Sequence, residues 1–373
     1  MKKISVFICL QLWLIFCFSV NAQDFRPITD GIEHAKVTRK IKDEPVAVNL
    51  LRLDLTKVRL DVVHALDAAI GTETTSSIAT RHGAIAAINA GFFRLDKSIF
   101  AGDAAGTLMI DNELLSESYE SRVSLFVTNG LNQTEVKIGH LSIWHTVIIG
   151  KQFFEVFGVN RQRKNNELIL FTPEFSRTTL TEPSGVEIVV RKNRIVKVSV
   201  DKGSVIIPSD GFVLSASGSE VAELLQFAKL NSRVHPTIHL ARMDAGEIDA
   251  SGEDIVGGVP QLIKNGKIEI TWEQEKQSKQ FVETRHPRTA VAKLKDGKFL
   301  MITVDGRSAE SVGMSLLELA EMLLEFGAVD AMNLDGGGST TMFLGGKVVN
   351  QPSDKEGERK VGDAILVFPR KTK

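Results

Sequence analysis

The chain has 373 residues, with 45 Lys and Arg against 46 Asp and Glu and a net charge of −1. So even a balance, with no basic half, excludes the electrostatic footprint of a nucleic-acid-binding protein. Both cysteines, Cys9 and Cys17, lie in the first 22 residues, so the remainder can form no disulfide, thiolate nucleophile or zinc–cysteine centre.

Lys2 and Lys3 precede an apolar run from Ile4 to Val20, and Val20-Asn21-Ala22 supplies small residues for a peptidase. This pattern predicts a cleaved secretory signal over 1–22 and an exported protein, periplasmic or secreted. An uncleaved anchor is the rival reading, but no stop-transfer charge cluster follows the run. No later stretch approaches the ~20 apolar residues of a membrane span, so none is expected in the mature chain.

Residues 23–83 read as a β-rich segment, with apolar/polar alternation at the end of Val46 to Leu55 and again over Val58 to Val62. Thr75 to Arg81 is a short helix candidate, and Ala84 to Asn89 a buried strand. A second region, 84–373, stays β-rich to about 215. Val186 to Val190 and Ile195 to Val200 predict neighbouring strands around the polar turn Arg191–Arg194. Ser217-x-x-Glu220 resembles a capping box that opens a helix to about Ala228. Glu273 to Glu283 reads as a solvated loop or exposed helix. Thr289 to Leu294 and Phe299 to Val304 predict a hairpin about Asp296-Gly297. Ser315-x-x-Glu318 is a second capping box, and Gly327 a C-terminal stop, for a helix with Leu316, Leu319, Ala320, Leu323 and Leu324 on its apolar face. The fold class expected is α+β: mixed or antiparallel sheets with a few packed helices.

Four clusters carry the chemistry. Asn333-Leu334-Asp335-Gly336-Gly337-Gly338-Ser339 places a carboxylate before three glycines that leave the backbone open to a ligand. It lacks the Gly-Lys-Ser/Thr ending of a nucleotide phosphate loop, and a plain tight turn is the competing reading. His286-Pro287-Arg288-Thr289 offers a planar guanidinium suited to phosphate oxygens, or a surface ion pair. Asp305-Gly306-Arg307 closes an apolar strand, where a cleft carboxylate and an ordinary Asp-Gly turn look alike. Ser353-Asp354 with Glu356, Glu358 and Arg359 reads alone as a charged loop. Asn89-Ala90-Gly91 and Gly102-Asp103 add an amide and a carboxylate. His235 and His239 would share a strand face, which suits packing better than a metal pair. Trp144 and Trp272 read as core residues or sugar contacts.

In this order and spacing the clusters resemble the phosphodiester glycosidase family from about residue 84 to 368. Gly258 to Gly266 and the helix after Ser315 fit as well, and Ala90 stands where the family often has Gly. The resemblance makes 84–373 a catalytic domain. It implies hydrolysis of a carbohydrate phosphodiester at the anomeric carbon, with N-acetylglucosamine as a candidate sugar. Phosphate is a better leaving group than an alkoxide and needs charge stabilisation more than a proton. Arg288, Arg307 and Arg359, with His286, Thr289, Ser339 and the N–H groups near Gly336, Gly337 and Gly338, are the expected phosphate and sugar binders, and Asn89 would hold a sugar hydroxyl or amide. Asp335 and Asp305 lead the candidates for nucleophile or base, followed by Asp103 and Glu358. The reaction requires no cofactor. A divalent ion such as calcium, held by the same aspartates, is the alternative, although Asp103, Asp305 and Asp335 match no metal-loop spacing. A non-enzymatic glycan-binding module on the same fold and a metal-dependent phosphodiesterase are the competing functions.

Overall fold

The computed structural model describes residues 25–117, 121–244, 246–247 and 253–370. The signal expected over 1–22, with both cysteines, lies outside them.

One sheet runs in the order Arg26–Thr29, Ile32–Ile41, Glu44–Leu53, Phe299–Val304, Arg288–Leu294, Ala328–Asn333, Gln261–Lys264, Lys267–Ile268. Its central strands are buried on both faces, which is why they read as nearly unbroken apolar runs. Leu51, Leu53, Val291, Phe299, Met301 and Met332 face one core. Their neighbours Val48, Leu50, Ala290, Ala292, Leu300 and Ile302 face the other, against helix Leu316–Glu325. That helix forms as its sequence predicts. Ser315 accepts from the Glu318 N–H, the Glu318 side chain returns to the Ser315 N–H, and Gly327 follows at φ 85°.

A second sheet, ordered Lys347–Val348, Met342–Leu344, Ala86–Asn89, Asp363–Pro369, Val58–His64, closes the first core from the opposite side. The strands before residue 83 therefore complete sheets built from later residues: Leu53 pairs with Phe299 and Val63 with Ala364. Two further sheets occupy much of the middle of the chain, including the predicted hairpin Val186–Arg191 with Arg194–Val200. Among the described residues every ladder is antiparallel except Gly158–Val159 with Leu168–Phe171, and the four α-helices are short. The result is a β-rich mixed fold. No helix among them is long and apolar enough to cross a membrane.

Local expectations change in three places. Helix Glu220–Phe227 is capped at Ser219, not Ser217, and without a side-chain bond, while the Ser217 hydroxyl donates to the Lys164 carbonyl. Within 273–283, Glu275 is buried and accepts from the Val123 and Gln261 N–H groups at 3.1 and 2.9 Å, so that stretch is anchored to the core. His239 stacks on Trp144 across paired strands, with ring centroids 5.1 Å apart, and Trp144 is 44% exposed, not a core residue.

Candidate active site

The site is built where strands Ala86–Asn89, Arg288–Leu294, Phe299–Val304 and Ala328–Asn333 end or begin together. Pro287 is its pivot. The Gly337 N–H donates to the Pro287 carbonyl at 2.9 Å, and a Cβ on Gly336 would stand 2.7 Å from the same oxygen. From the other side, a Cβ on Gly306 would stand 2.8 Å from the Pro287 nitrogen. Only glycine lets the 335–339 and 305–307 turns close on one proline.

The next two glycines admit guanidinium groups. Gly337 has φ 62°, and a Cβ there would stand 2.9 Å from a terminal nitrogen of Arg307. Arg307 is exposed, itself has φ 63°, and makes no ion pair with any described residue. A left-handed non-glycine residue at a site's edge is a feature associated with functional strain. Gly338 lies against the ion pair of Arg359 with Asp354, whose two hydrogen bonds measure 2.7 and 2.9 Å, and a Cβ would leave that pair no room.

Asp335 lies within reach of the Arg359 charge. Burial pushes its carboxyl up to about 6, against the opposing influence of the Ser339 hydroxyl, the Gly336 N–H and the Arg359 charge. The turn's own amides are largely spent: Gly337 on Pro287, Ser339 on the Gly336 carbonyl, Thr340 on the Gly337 carbonyl. The positive field here comes from side chains more than from the backbone.

A residue that sequence reasoning passed over completes the carboxylate set. Asp363 is 1% exposed; one oxygen accepts from the Gly91 N–H and the other has no partner. Burial, reinforced by the Asp335 charge, pushes it up to about 7. Its one sequence signal was an aspartate opening an otherwise apolar strand.

The other predicted residues fall into distinct places. The Asn89 amide is consumed by the frame: it donates to the Asp335 carbonyl at 2.7 Å and accepts from the Thr289 hydroxyl at 2.8 Å and the Thr341 N–H at 3.1 Å. Arg288 is 2% exposed and donates to the carbonyls of Met314, Phe281 and Thr284, tying helix Lys279–Glu283 beneath the turn. His286 is half-buried; burial and the charges of Arg288 and Arg307 hold its imidazole below its usual range, hence neutral. Asp305 is buried and pushed up by that burial, and it accepts from the Asn350 amide at 3.2 Å and the Gln351 N–H at 3.0 Å. Asn350 also donates to the Thr340 carbonyl, so Asp305 braces the exit of the glycine turn. Glu358 binds the N–H and hydroxyl of Ser76, in the first turn of helix Thr75–His82. Asp103 lies in a separate cavity with Arg94 and Arg161. Thus Asp335, Ser339, Gly336–Gly338, Arg307, Arg359 and His286 come together, Asn89, Arg288, Thr289 and Asp305 support them, and Glu358 and Asp103 are engaged elsewhere. Among the described residues, no three His, Cys, Asp or Glu side chains are arranged to hold a metal ion.

Comparison with known proteins points to the same part of the chain. Residues 184–368 match the phosphodiester glycosidase family. The N-acetylglucosamine-1-phosphodiester alpha-N-acetylglucosaminidase of Mus musculus is 35% identical over 160 residues, 40% of this chain and 30% of that protein. The Homo sapiens enzyme of that name is 32% identical over 160 residues, with the same coverage of 40% and 30%. The match thus spans under a third of the length of these relatives. An uncharacterized protein of Rickettsia conorii is 29% identical over 232 residues, 61% of this chain and 77% of its own. Among solved structures, a hypothetical protein from Synechocystis superposes with a TM-score of 0.78 at 23% identity, covering 92% of this chain and 63% of that one. A protein from Burkholderia pseudomallei, whose name marks it for export, gives a TM-score of 0.75 at 25% identity, covering 87% and 74%.

Proposed function

From the match of residues 184–368 to the phosphodiester glycosidase family, we propose that this chain is exported and is an enzyme that hydrolyses a sugar 1-phosphodiester at its anomeric carbon. The observation that carries the reading is the seating of two guanidinium groups, Arg307 and Arg359, against Gly337 and Gly338 beside the Asp335 carboxylate. As the bond between C1 and the phosphate oxygen breaks, negative charge grows on the departing phosphomonoester. Planar, permanently charged donors stabilise that charge without needing to supply a proton. Arg359 is held in place by Asp354, and Arg307 is free to turn toward the ligand.

The positive charge at C1 needs a carboxylate. Asp335, ionised above about pH 6, attacks C1 directly or takes the proton of the attacking water. Water delivers its oxygen to C1 and the phosphomonoester leaves with the electron pair of the broken bond. Neutral His286 beside Arg307 offers a polar edge to the same substrate without adding repulsion to the cations. The reaction runs without a cofactor, and N-acetylglucosamine, named in the relatives, is the first sugar to test.

The test is hydrolysis of sugar 1-phosphodiesters by purified protein in ¹⁸O water, with and without chelator, alongside Asp335→Asn. The reading requires label in the released sugar, turnover that survives chelation, and loss of turnover in the variant with folding intact. Label in the phosphate would mean P–O cleavage, and binding without turnover would mean a glycan-binding module.

A further inference from the structure

A second cavity, about 450 Å³, opens beside the 91–105 loop and shares no lining residue with the glycine turn. Its walls combine two features that a merely structural hollow does not need. Trp144 and Phe157 line it and remain 44% and 43% exposed. The Trp144 ring is not loose, because His239 stacks on it nearly parallel, at 5°. Large aromatic surface left in water but fixed in orientation is a contact platform at low entropic cost.

The polar wall is equally fixed. Glu117 accepts from the His145 ring and from Arg161, and Arg161 reaches Glu167 at 2.7 Å. Asp103 lines it too, 4% exposed, with its Oδ1 buried and bonded to nothing in the protein. A buried oxygen without a donor is left at a cost in stability, and the Asp103 side chain lines a cavity in which a ligand hydroxyl can supply one once the carboxyl turns toward it. The lining mixes Arg94, Arg161 and Lys164 with Asp103, Glu117, Glu155 and Glu167. Neither sign dominates, so the cavity selects neither an anion nor a cation. What fits is a neutral molecule with one C–H face for the aromatic platform and hydroxyls around its edge for carboxylates and guanidinium groups.

We propose that this cavity is a second saccharide-binding site, in which a neutral sugar ring stacks on Trp144 and donates a hydroxyl to Asp103 Oδ1. It would hold part of a glycan apart from the glycine-turn site, and it does not depend on what that site catalyses. The region also gives Asp103 a use that its distance from the arginine pair denies it in hydrolysis.

Tryptophan emission reads the site directly, because Trp144 and Trp272 are the two tryptophans outside the first 22 residues. Short chito-, malto- and cello-oligosaccharides are titrated into the Trp272→Phe protein, with glycerol as control, and into the unaltered protein by calorimetry. The expected result is a saturable change with at least one oligosaccharide and none with glycerol. Trp144→Ala, at an exposed position, should weaken that binding about tenfold or more while leaving hydrolysis of a small sugar 1-phosphodiester unchanged. Asp103→Ala should weaken binding comparably; should it fail to fold, Trp144→Ala decides. Three outcomes overturn the proposal: no oligosaccharide binds, binding survives Trp144→Ala, or binding disappears in Asp335→Asn, which would put the sugar in the first site.

Discussion

Asp335 and Asp363 are joined through a single residue: the Asp335 N–H donates to the Ala90 carbonyl at 2.9 Å, and the Ala90 N–H donates to the Asp363 carbonyl at 3.1 Å. Both carboxyls are desolvated, and the Asp335 charge opposes the ionisation of Asp363.

This coupling sets a pH dependence. Burial raises both groups, Asp335 to about 6 and Asp363 to about 7. Between about pH 4, where an unfolded aspartate titrates, and pH 7, the native state holds more protons than the unfolded one. Stability from this pair is therefore greatest at the acid end and falls as pH rises through that window. Asp363→Asn should flatten the fall, most strongly toward pH 7, and leave the acid limb of activity near pH 6, since Asp363 is still largely protonated where Asp335 ionises. Thermal unfolding from pH 4 to 8 and a pH–rate profile check both; parallel stability curves for wild type and variant, or a displaced acid limb, would refute the assignment.

Arg307→Ala should reduce kcat/KM by about 10²–10³, the usual effect of removing one transition-state charge stabiliser, with the unfolding temperature unchanged because the side chain is exposed. Arg307→Lys should recover only part of it, since a point charge does not reproduce the planar fork. Steady-state kinetics on both variants decide.

Gly338→Ala should damage activity more than stability. Its Cβ displaces the Arg359–Asp354 pair, so kcat/KM is expected to drop by about 10². Gly336→Ala pushes on the Pro287 carbonyl instead and should cost about 1–3 kcal/mol of stability as well. Comparing unfolding midpoints with rates separates the two; equal stability losses would contradict the assignment.

Asn89→Ala removes the partner of three buried groups: the Asp335 carbonyl, the Thr289 hydroxyl and the Thr341 N–H. A loss of about 2–4 kcal/mol is expected, measured by denaturant unfolding. A loss below about 1 kcal/mol would mean that the frame does not rest on this amide.

Glu358→Gln should retain hydrolysis. Its carboxylate serves the first turn of helix Thr75–His82 through Ser76, so the expected change is a small fall in stability, about 0.5–1 kcal/mol. Loss of turnover in a folded variant would return Glu358 to the catalytic set.

The sequence carried its local devices faithfully. The capping box at Ser315, the stop at Gly327 and the turn at Asp296-Gly297 all depend on residues a few positions apart, and all form. The turn of three glycines was legible as a site, but the reason for each glycine was not, because Pro287, Arg307 and Arg359 reach it from distant segments. The same limit explains the supporting roles of Arg288 and Asn89: a guanidinium or amide looks equally suited to a ligand or to a carbonyl 26 or 246 residues away. Asp363 escaped notice because its partner Gly91 lies 272 positions earlier. Ser217 misled in the opposite direction, matching a capping pattern while its hydroxyl was engaged by Lys164.

The strand Asp363–Pro369 lies between Ala86–Asn89 and Val58–His64. A growing polypeptide must therefore keep those two earlier strands apart until residues 363–369 emerge, and until then the pocket beneath Gly91 lacks its acidic floor. Pairings across such separations form slowly. Activity should consequently appear only once that strand is in place, and deleting residues 363–369 should abolish it even though every residue of the glycine turn remains.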